Sequence, residues 1–151
     1  MALSAETVLA RYRRAREQRT AWEGLWQECY DFALPTRDTA VRATGAGPRR
    51  WDRIFDGTAP DAVDQLAASL MAQLTPPWTR WVGFVAGPDV EDADRPAMVA
   101  ELERANTILQ SHFDRSNFAV EMHQCYLDLV TAGTSSLLFE EMPAGESSAF
   151  R

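Results

Sequence analysis

The sequence predicts a mostly helical α+β domain with about four helices and a few short strands. Apolar residues recur at three- and four-residue steps in four segments, which end at capping residues, glycine or proline. Two other stretches, Trp81–Val85 and Ser135–Met142, are typical of short strands. The chain has 151 residues, of which 46% are hydrophobic, so it is about the size of one domain and can bury a core. We therefore predict a single domain over residues 1–151.

The first helix is predicted to begin after the N-cap Ser4 and to run to about Ala33, before Pro35. Its first half is rich in arginine, and we interpret these side chains as a solvated face with acidic partners such as Glu17 and Glu23. A surface for nucleic acid or for an acidic partner is the alternative. The arginines are Arg11, Arg13, Arg14, Arg16 and Arg19.

A flexible basic loop is predicted at about residues 35–50, because this segment is polar and has no period. A loop this long is unusual in a compact domain and is often functional. Arg49, Arg50 and Arg53 form a second basic cluster there. Solvation at the surface is again the favoured interpretation, although loops often carry contacts.

The second helix lies within the most distinctive stretch, Trp51–Val85. Asp56-Gly57 predicts a turn, Thr58 a helix cap, and Pro76-Pro77 a helix stop. One helix face should be buried, with apolar residues at Val63, Leu66, Ala67, Leu70, Met71 and Leu74. The aromatic residues that follow could stack on nucleic-acid bases, but we interpret them as core: Trp78, Trp81 and Phe84.

Two more helices and a hairpin complete the prediction. Asp92 or Asp94 should cap the third helix, and Ser116 or Asn117 the fourth, which Gly133 should end. Their apolar faces carry Met98, Leu102, Ala105, Leu109 and Phe113 in the third helix, and Phe118, Met122, Cys125, Tyr126, Leu129 and Val130 in the fourth. Residues 143–146 predict a turn between the Ser135–Met142 strand and a return strand from Ser147.

The distribution of charge and the number of cysteines restrict the classes of protein to which this chain could belong. Residues 1–53 hold ten Arg and seven acidic residues, whereas residues 54–151 hold five Arg and fifteen acidic residues. A net charge of −7 disfavours tight nonspecific binding along a DNA duplex. Two widely spaced cysteines indicate a reduced, cytosolic protein, and neither a signal peptide nor a transmembrane run is apparent.

No motif carries recognisable chemistry, so we predict no catalytic, cofactor-binding or metal-binding residues. Phe55-Asp56-Gly57-Thr58 resembles part of the haloacid-dehalogenase phosphatase motif, but Ile54 stands where that motif has its nucleophilic aspartate. The spacing of His112, His123 and Cys125 matches no common zinc site. A structural or interaction role is the better hypothesis, and a hydrolase with an unrecognised site is the weaker one.

Several short motifs, in order, resemble the N-terminal part of head-to-tail connector (portal) proteins of short-tailed phages. An aromatic helix runs into a proline at Trp26, Tyr30 and Pro35, and a hydrophobic-Asp-small-Thr-Ala turn lies at 55–59. Residues 67–70, 74–77 and Trp81 are similar to that family's "LA..L…LT.P…W" pattern, and residues 133–137 to its later Gly-then-strand element. The resemblance covers nearly the whole chain.

The resemblance implies the beginning of the wing-like region of a portal, in a chain that is an excised domain or a truncated prophage gene. Full-length relatives are typically dodecameric rings that pass phage DNA and bind terminase, scaffold, capsid and tail adaptor proteins. We therefore expect a structural virion protein, present in the host cytoplasm during assembly, with no membrane partner and no enzyme activity. Candidate subunit or capsid contacts are Arg11, Arg14, Arg49, Arg50 and Arg53. A standalone helical adaptor or scaffold-like module is the alternative.

Overall fold

The computed structural model describes residues 4–37, 54–88, 90–91, 95–141, 143 and 149–151. These residues form helices α1 (Ala5–Ala33), α2 (Thr58–Leu74), α3 (Arg95–Arg115) and α4 (Phe118–Ala132), and strands β1 (Phe139–Glu140) and β2 (Ala149–Phe150). The predicted mostly helical α+β class is confirmed. The chain groups into unit 1, residues 1–64 with 131–133, and unit 2, residues 65–130 with 134–151. The assignment of residues 1–151 to a single domain stays a prediction.

Helix α1 of unit 1 begins and ends where the sequence predicts. The Ser4 side chain accepts a hydrogen bond from the Thr7 amide at 3.3 Å, and the Leu34 amide donates to Tyr30 O before the buried Pro35. Only Asp31 is buried within the helix, and its Oδ1 accepts from Gln27 Nε2 at 2.7 Å. The apolar side chains of α1 remain largely exposed, among them Val8, Leu9, Tyr12, Trp22, Leu25 and Phe32.

The start of α2 differs from the prediction that Thr58 caps the helix. Thr58 is the first helical residue, and the carbonyl of Gly57 accepts from the Asp61 amide at 3.1 Å, so Gly57 is the N-cap. The carboxylate of Asp56 accepts instead from the Thr58 amide at 3.0 Å. The aspartate is favoured over threonine here because a charged acceptor near a helix N-terminus also interacts with the helix dipole. The predicted buried face is only partly buried, since Leu66 and Leu74 are exposed.

Helices α3 and α4 of unit 2 are joined by a turn that the sequence correctly places at Ser116 and Asn117. Ser116 Oγ donates to Phe113 O at 2.8 Å and accepts from the Phe118 amide at 3.2 Å, while the Asn117 carbonyl accepts from the Glu121 amide. The predicted caps of α3, Asp92 and Asp94, lie outside the described residues. In α4 the predicted stripe is largely buried, although Leu129 is exposed.

Helix α4 ends at Gly133, the residue after its last turn, which has a φ of 73°. We expect Gly133→Ala to lower the free energy of unfolding by about 1–2 kcal/mol, because a side chain disfavours this left-handed conformation. Gly24→Ala in the interior of α1, where nothing lies within 4 Å of an added Cβ, should instead stabilise by about 0.5–1 kcal/mol. Chemical denaturation of both variants tests the pair. Equal effects of the same sign would contradict this account.

The core of unit 2 is an aromatic cluster around Phe118, which is 8% exposed. Its ring lies 5.5 Å from that of Trp81, 4.7 Å from that of Phe113 and 5.1 Å from that of Phe150, measured between centroids. The cluster therefore joins α3, α4, β2 and the segment after α2. Trp78 and Phe84, which the sequence assigns to the core, are 70% and 54% exposed, whereas Trp81 is half-buried and stacks within the cluster.

The predicted strand at Trp81–Val85 forms no ladder, because a side chain takes the place of a partner strand. Asn106 of α3 accepts from the Phe84 amide at 2.6 Å and donates to the Phe84 carbonyl at 3.1 Å. Asn106 is buried, and its side chain would lie only 3.1 Å from a Cβ added at Gly83. Glycine thus allows the close approach of this segment to α3. Arg80 also pairs with Glu103 of α3 through two hydrogen bonds, of 2.6 and 3.3 Å.

The predicted hairpin is present and shorter than expected. Strands β1 and β2 are antiparallel, with Phe139 opposite Phe150 and Glu140 opposite Ala149. Leu138 and Arg151 extend the pairing by exchanging two backbone hydrogen bonds of 2.7 and 2.9 Å. Most of the predicted turn lies outside the described residues. Among the described residues of the predicted Ser135–Met142 strand, therefore, only Phe139–Glu140 is assigned to the sheet.

Candidate functional site

The predicted contact arginines fall into two groups. Arg11 and Arg14 are exposed on the first half of α1, whereas Arg49, Arg50 and Arg53 lie outside the described residues. Arg19, further along α1, pairs with Glu23 at 3.1 Å, as expected for a solvated face with acidic partners. The assignment of all five arginines to subunit or capsid contacts stays a prediction.

A catalytic interpretation of the sequence would depend on Asp56. In the structure, the carboxylate of this residue is hydrogen-bonded at the start of α2. Its Oδ1 accepts from the Thr58 hydroxyl at 2.8 Å and from the Thr58 amide at 3.0 Å. These two hydrogen bonds, the hydroxyl bond first, lower the pKa of Asp56 below its usual value. A carboxylate held in this way stabilises the start of α2.

This arrangement predicts how helix stability depends on pH. The folded-state pKa of Asp56 is lowered, so its contribution is present above the unfolded-state pKa near 3.8 and is lost as the pH falls through the folded-state value. The Tm difference between the unmodified chain and Asp56→Ala should therefore shrink between about pH 5 and about pH 3. Asp56→Asn, which keeps an acceptor but does not titrate, is the matched control. A Tm difference that is the same at both ends of this range would show that the charged Asp56 does not stabilise the start of α2.

The residues that could hold a metal lie in ordinary structural settings. His112 is exposed on α3, His123 is half-buried on α4, and Cys125 Sγ donates to Ser136 O at 3.8 Å. Both cysteines are free thiols. In the part of the chain that the structure describes, no three His, Cys, Asp or Glu side chains come together as a metal site.

Two exposed apolar segments of unit 2 are better candidates for a functional surface than the catalytic and metal-binding residues considered above. The first follows α2, where Trp78 and Val85 are 70% and 86% exposed. The second is the hairpin, where Leu138 and Phe139 are 56% and 55% exposed. Exposed large apolar side chains are candidates for contact with other proteins where they lie together on a surface.

An open groove of about 580 Å³ lies beside the hairpin. It is lined by Phe139 and Phe150 of the sheet, by Leu109, His112 and Phe113 of α3, and by Glu141 after β1. Because Leu138 and Arg151 form the hydrogen-bonded pair, the backbone groups of Phe139 point away from β2. An apolar groove and an outer strand edge thus lie side by side in unit 2.

Sequence reasoning missed the long-range contacts of two asparagines that organise these segments, although it named Asn117 as a possible helix cap. Asn106 holds Phe84, and Asn117 binds the outer edge of β2 by accepting from the Phe150 amide and donating to its carbonyl, each at 2.8 Å. In both cases one side-chain amide satisfies the two backbone groups of a single residue. A signal existed at Asn106, which follows Ala105 directly on the apolar side of α3.

Comparison with known proteins identifies the family. The family model described as "Bacteriophage head to tail connecting protein" matches residues 5–151. The chain belongs to this family. A probable portal protein of Bordetella phage BPP-1 is 30% identical over 131 residues, which cover 85% of this chain and 23% of that protein. A portal protein of Salmonella phage epsilon15 is 26% identical over 137 residues, covering 90% of this chain and 24% of that protein.

Membership of the head-to-tail connecting family therefore explains why the short motifs of this sequence resemble those of connector proteins. This member spans about a quarter of the length of these two relatives, 23% and 24%. Among the described residues of the connector chain, no helix is both long enough and apolar enough to cross a membrane.

Proposed function

We propose that this chain is a structural part of a portal ring, the head-to-tail connector through which phage DNA is packaged and ejected. The family match over residues 5–151 carries this proposal. The relatives are named as portal proteins, and a chain that spans a quarter of their length would contribute part of each ring subunit. Its place is the virion, with assembly in the host cytoplasm.

The partners in this proposal are other ring subunits, the capsid, the scaffold, terminase and tail adaptor proteins. Exposed apolar side chains in both units support such a role, including Trp22 of α1 and Trp78 after α2. Large apolar side chains in water cost free energy, which contact with a neighbouring protein would recover. The role is structural rather than enzymatic, since Asp56 is engaged by Thr58 and Ile54 stands at the nucleophile position.

The basic cluster at Arg49, Arg50 and Arg53 provides a test. In the portal polypeptide that carries this chain, we expect reversal of all three charges to glutamate to lower ring formation and capsid incorporation roughly tenfold or more. Exposed ion pairs contribute up to about 1 kcal/mol each, and 1.4 kcal/mol corresponds to a factor of ten. Negative-stain electron microscopy counts the rings, and portal antibodies measure incorporation into purified capsids.

Arg104→Glu is the control, because Arg104 is an exposed arginine of α3 whose partner, Glu101, is on the same helix. Normal rings with the triple reversal would reject the contact role of this cluster. If the unmodified polypeptide forms no ring and antibodies find it outside the portal vertex, the portal proposal itself fails and a helical adaptor is favoured.

A further inference from the structure

We infer that a β-strand from another part of the same portal polypeptide pairs with the Trp81–Val85 segment of unit 2. The inference rests on the proposed portal role, in which residues 1–151 form only part of a subunit. Trp81–Val85 has the composition of a strand but pairs with no strand among the described residues. Trp81 is fixed in the aromatic cluster, and the Phe84 backbone is fixed to Asn106 of α3. The segment is therefore held in place with one side unpaired.

The unpaired side consists of backbone groups of Gly83 and Val85. The amide and the carbonyl of Phe84 both face the Asn106 side chain, as the two groups of one residue do in an extended strand. The flanking residues, Gly83 and Val85, consequently direct their amides and carbonyls to the opposite side. Neither makes a hydrogen bond in the part of the chain that the structure describes, and Val85 is 86% exposed. These groups form an open strand edge.

This edge lacks the features that normally keep an open strand from pairing with other chains. Native edges are protected by charged side chains, proline, bulges or a covering element. Residues 81–86, Trp-Val-Gly-Phe-Val-Ala, contain no charge and no proline, and the adjacent Arg80 is paired with Glu103 of α3. Val82 and Phe84 share one face of the segment and are 38% and 54% exposed. The covering strand should therefore be apolar at alternate positions, where its side chains lie beside these two.

The same polypeptide is the source of this strand. The chain spans 23% and 24% of its two portal relatives, so about three quarters of a subunit of that length lies outside it. A ring is assembled from separate subunits, and an open apolar edge on an unassembled subunit would promote aggregation. Protection is thus needed before a neighbouring subunit is present. A segment of the same polypeptide also has a much higher effective concentration than a second molecule.

Amide hydrogen exchange at single-residue resolution tests this inference in the complete polypeptide that carries this chain. In its unassembled form, we expect the Gly83 and Val85 amides to exchange about tenfold more slowly than in the 151-residue chain. The Phe84 amide binds Asn106 in both and should change little. Exchange that slows only when rings form would assign the strand to a neighbouring subunit and overturn the inference. Equal exchange of Gly83 and Val85 in the two polypeptides would also overturn it.

Val85→Pro provides an independent test, because it removes an amide that makes no hydrogen bond in the described structure. The preceding Phe84 is extended, which a following proline favours, so the Tm of the 151-residue chain should change little. In the unassembled complete polypeptide the variant loses a ladder hydrogen bond, and thermolysin should cleave near this segment about tenfold faster. Val85→Thr is the matched control, since it keeps the amide and a β-branched side chain. Equal acceleration of cleavage by Val85→Pro in both polypeptides would contradict strand pairing.

Negative-stain electron microscopy of the same samples separates this inference from the proposed function. Normal rings in which Gly83 and Val85 remain unprotected would leave the portal role intact and overturn only the strand pairing. Protected amides in a polypeptide that forms no ring would support the strand pairing and reject the portal role.

Discussion

Replacement of Phe118 by alanine is expected to lower the free energy of unfolding of unit 2 by about 3–5 kcal/mol. The ring is 8% exposed and contacts the rings of Trp81, Phe113 and Phe150, so its removal leaves a cavity bordered by three aromatic side chains. Small domains have a total stability of only about 5–15 kcal/mol, so this single change would remove much of it. Urea denaturation, followed by tryptophan fluorescence and far-UV circular dichroism, measures the loss.

Two further variants keep this prediction testable if Phe118→Ala does not fold. Phe118→Leu retains much of the side-chain volume and should cost less, about 1–1.5 kcal/mol. Phe84→Ala removes an aromatic ring that is 54% exposed and should change stability by well under half as much as Phe118→Ala. Equal losses for Phe118→Ala and Phe84→Ala would show that the cluster is not the core of unit 2.

The second large effect is expected at Asn106. Asn106→Ala should destabilise unit 2 by about 1–3 kcal/mol, because it removes both hydrogen bonds to Phe84 and opens a space at a position that is 3% exposed. The backbone amides of Trp81–Val85 should exchange their hydrogens faster in the same variant, because the Asn106 side chain holds the Phe84 backbone in place. Hydrogen-exchange mass spectrometry measures that change directly.

The controls for Asn106 separate the bidentate contact from general effects on α3. Thr107→Ala changes the next residue, whose hydroxyl donates only to Glu103 O on the same helix, and should be nearly neutral. Asn106→Asp keeps an acceptor for the Phe84 amide but places a carboxylate against the Phe84 carbonyl, so we expect it to destabilise at neutral pH. Unchanged protection of Phe84 in Asn106→Ala would contradict the role of this side chain.

The four helices could be predicted because their ends are encoded locally. Ser4 caps α1, Pro76 and Pro77 follow the end of α2, and Gly133 ends α4 in a left-handed conformation. Each of these effects depends on a few neighbouring residues and on no distant contact. The family resemblance could be predicted for the same reason, since its motifs coincide largely with such turns and helix ends.

The Trp81–Val85 segment shows where local reasoning fails. Its composition is that of a strand, but strand pairing depends on which backbone groups a distant element offers, and here Asn106 of α3 offers a side chain. The same limit applies to Trp78 and Phe84, whose apolar character predicts burial while the fold leaves both exposed. If the chain has the portal role proposed above, such exposed apolar residues are candidates for contacts with other chains.

The sequence by itself determined the helical class, most of the helix ends and the connector resemblance, because these follow from local capping, periodicity and short motifs. Only the tertiary structure decided which apolar residues form the core, which asparagines bind extended backbone, and where the groove beside the hairpin lies. Those features depend on residues far apart in the chain: Phe84 and Asn106 are 22 positions apart, and Asn117 and Phe150 are 33. Their proximity is a property of packing, which no local pattern encodes.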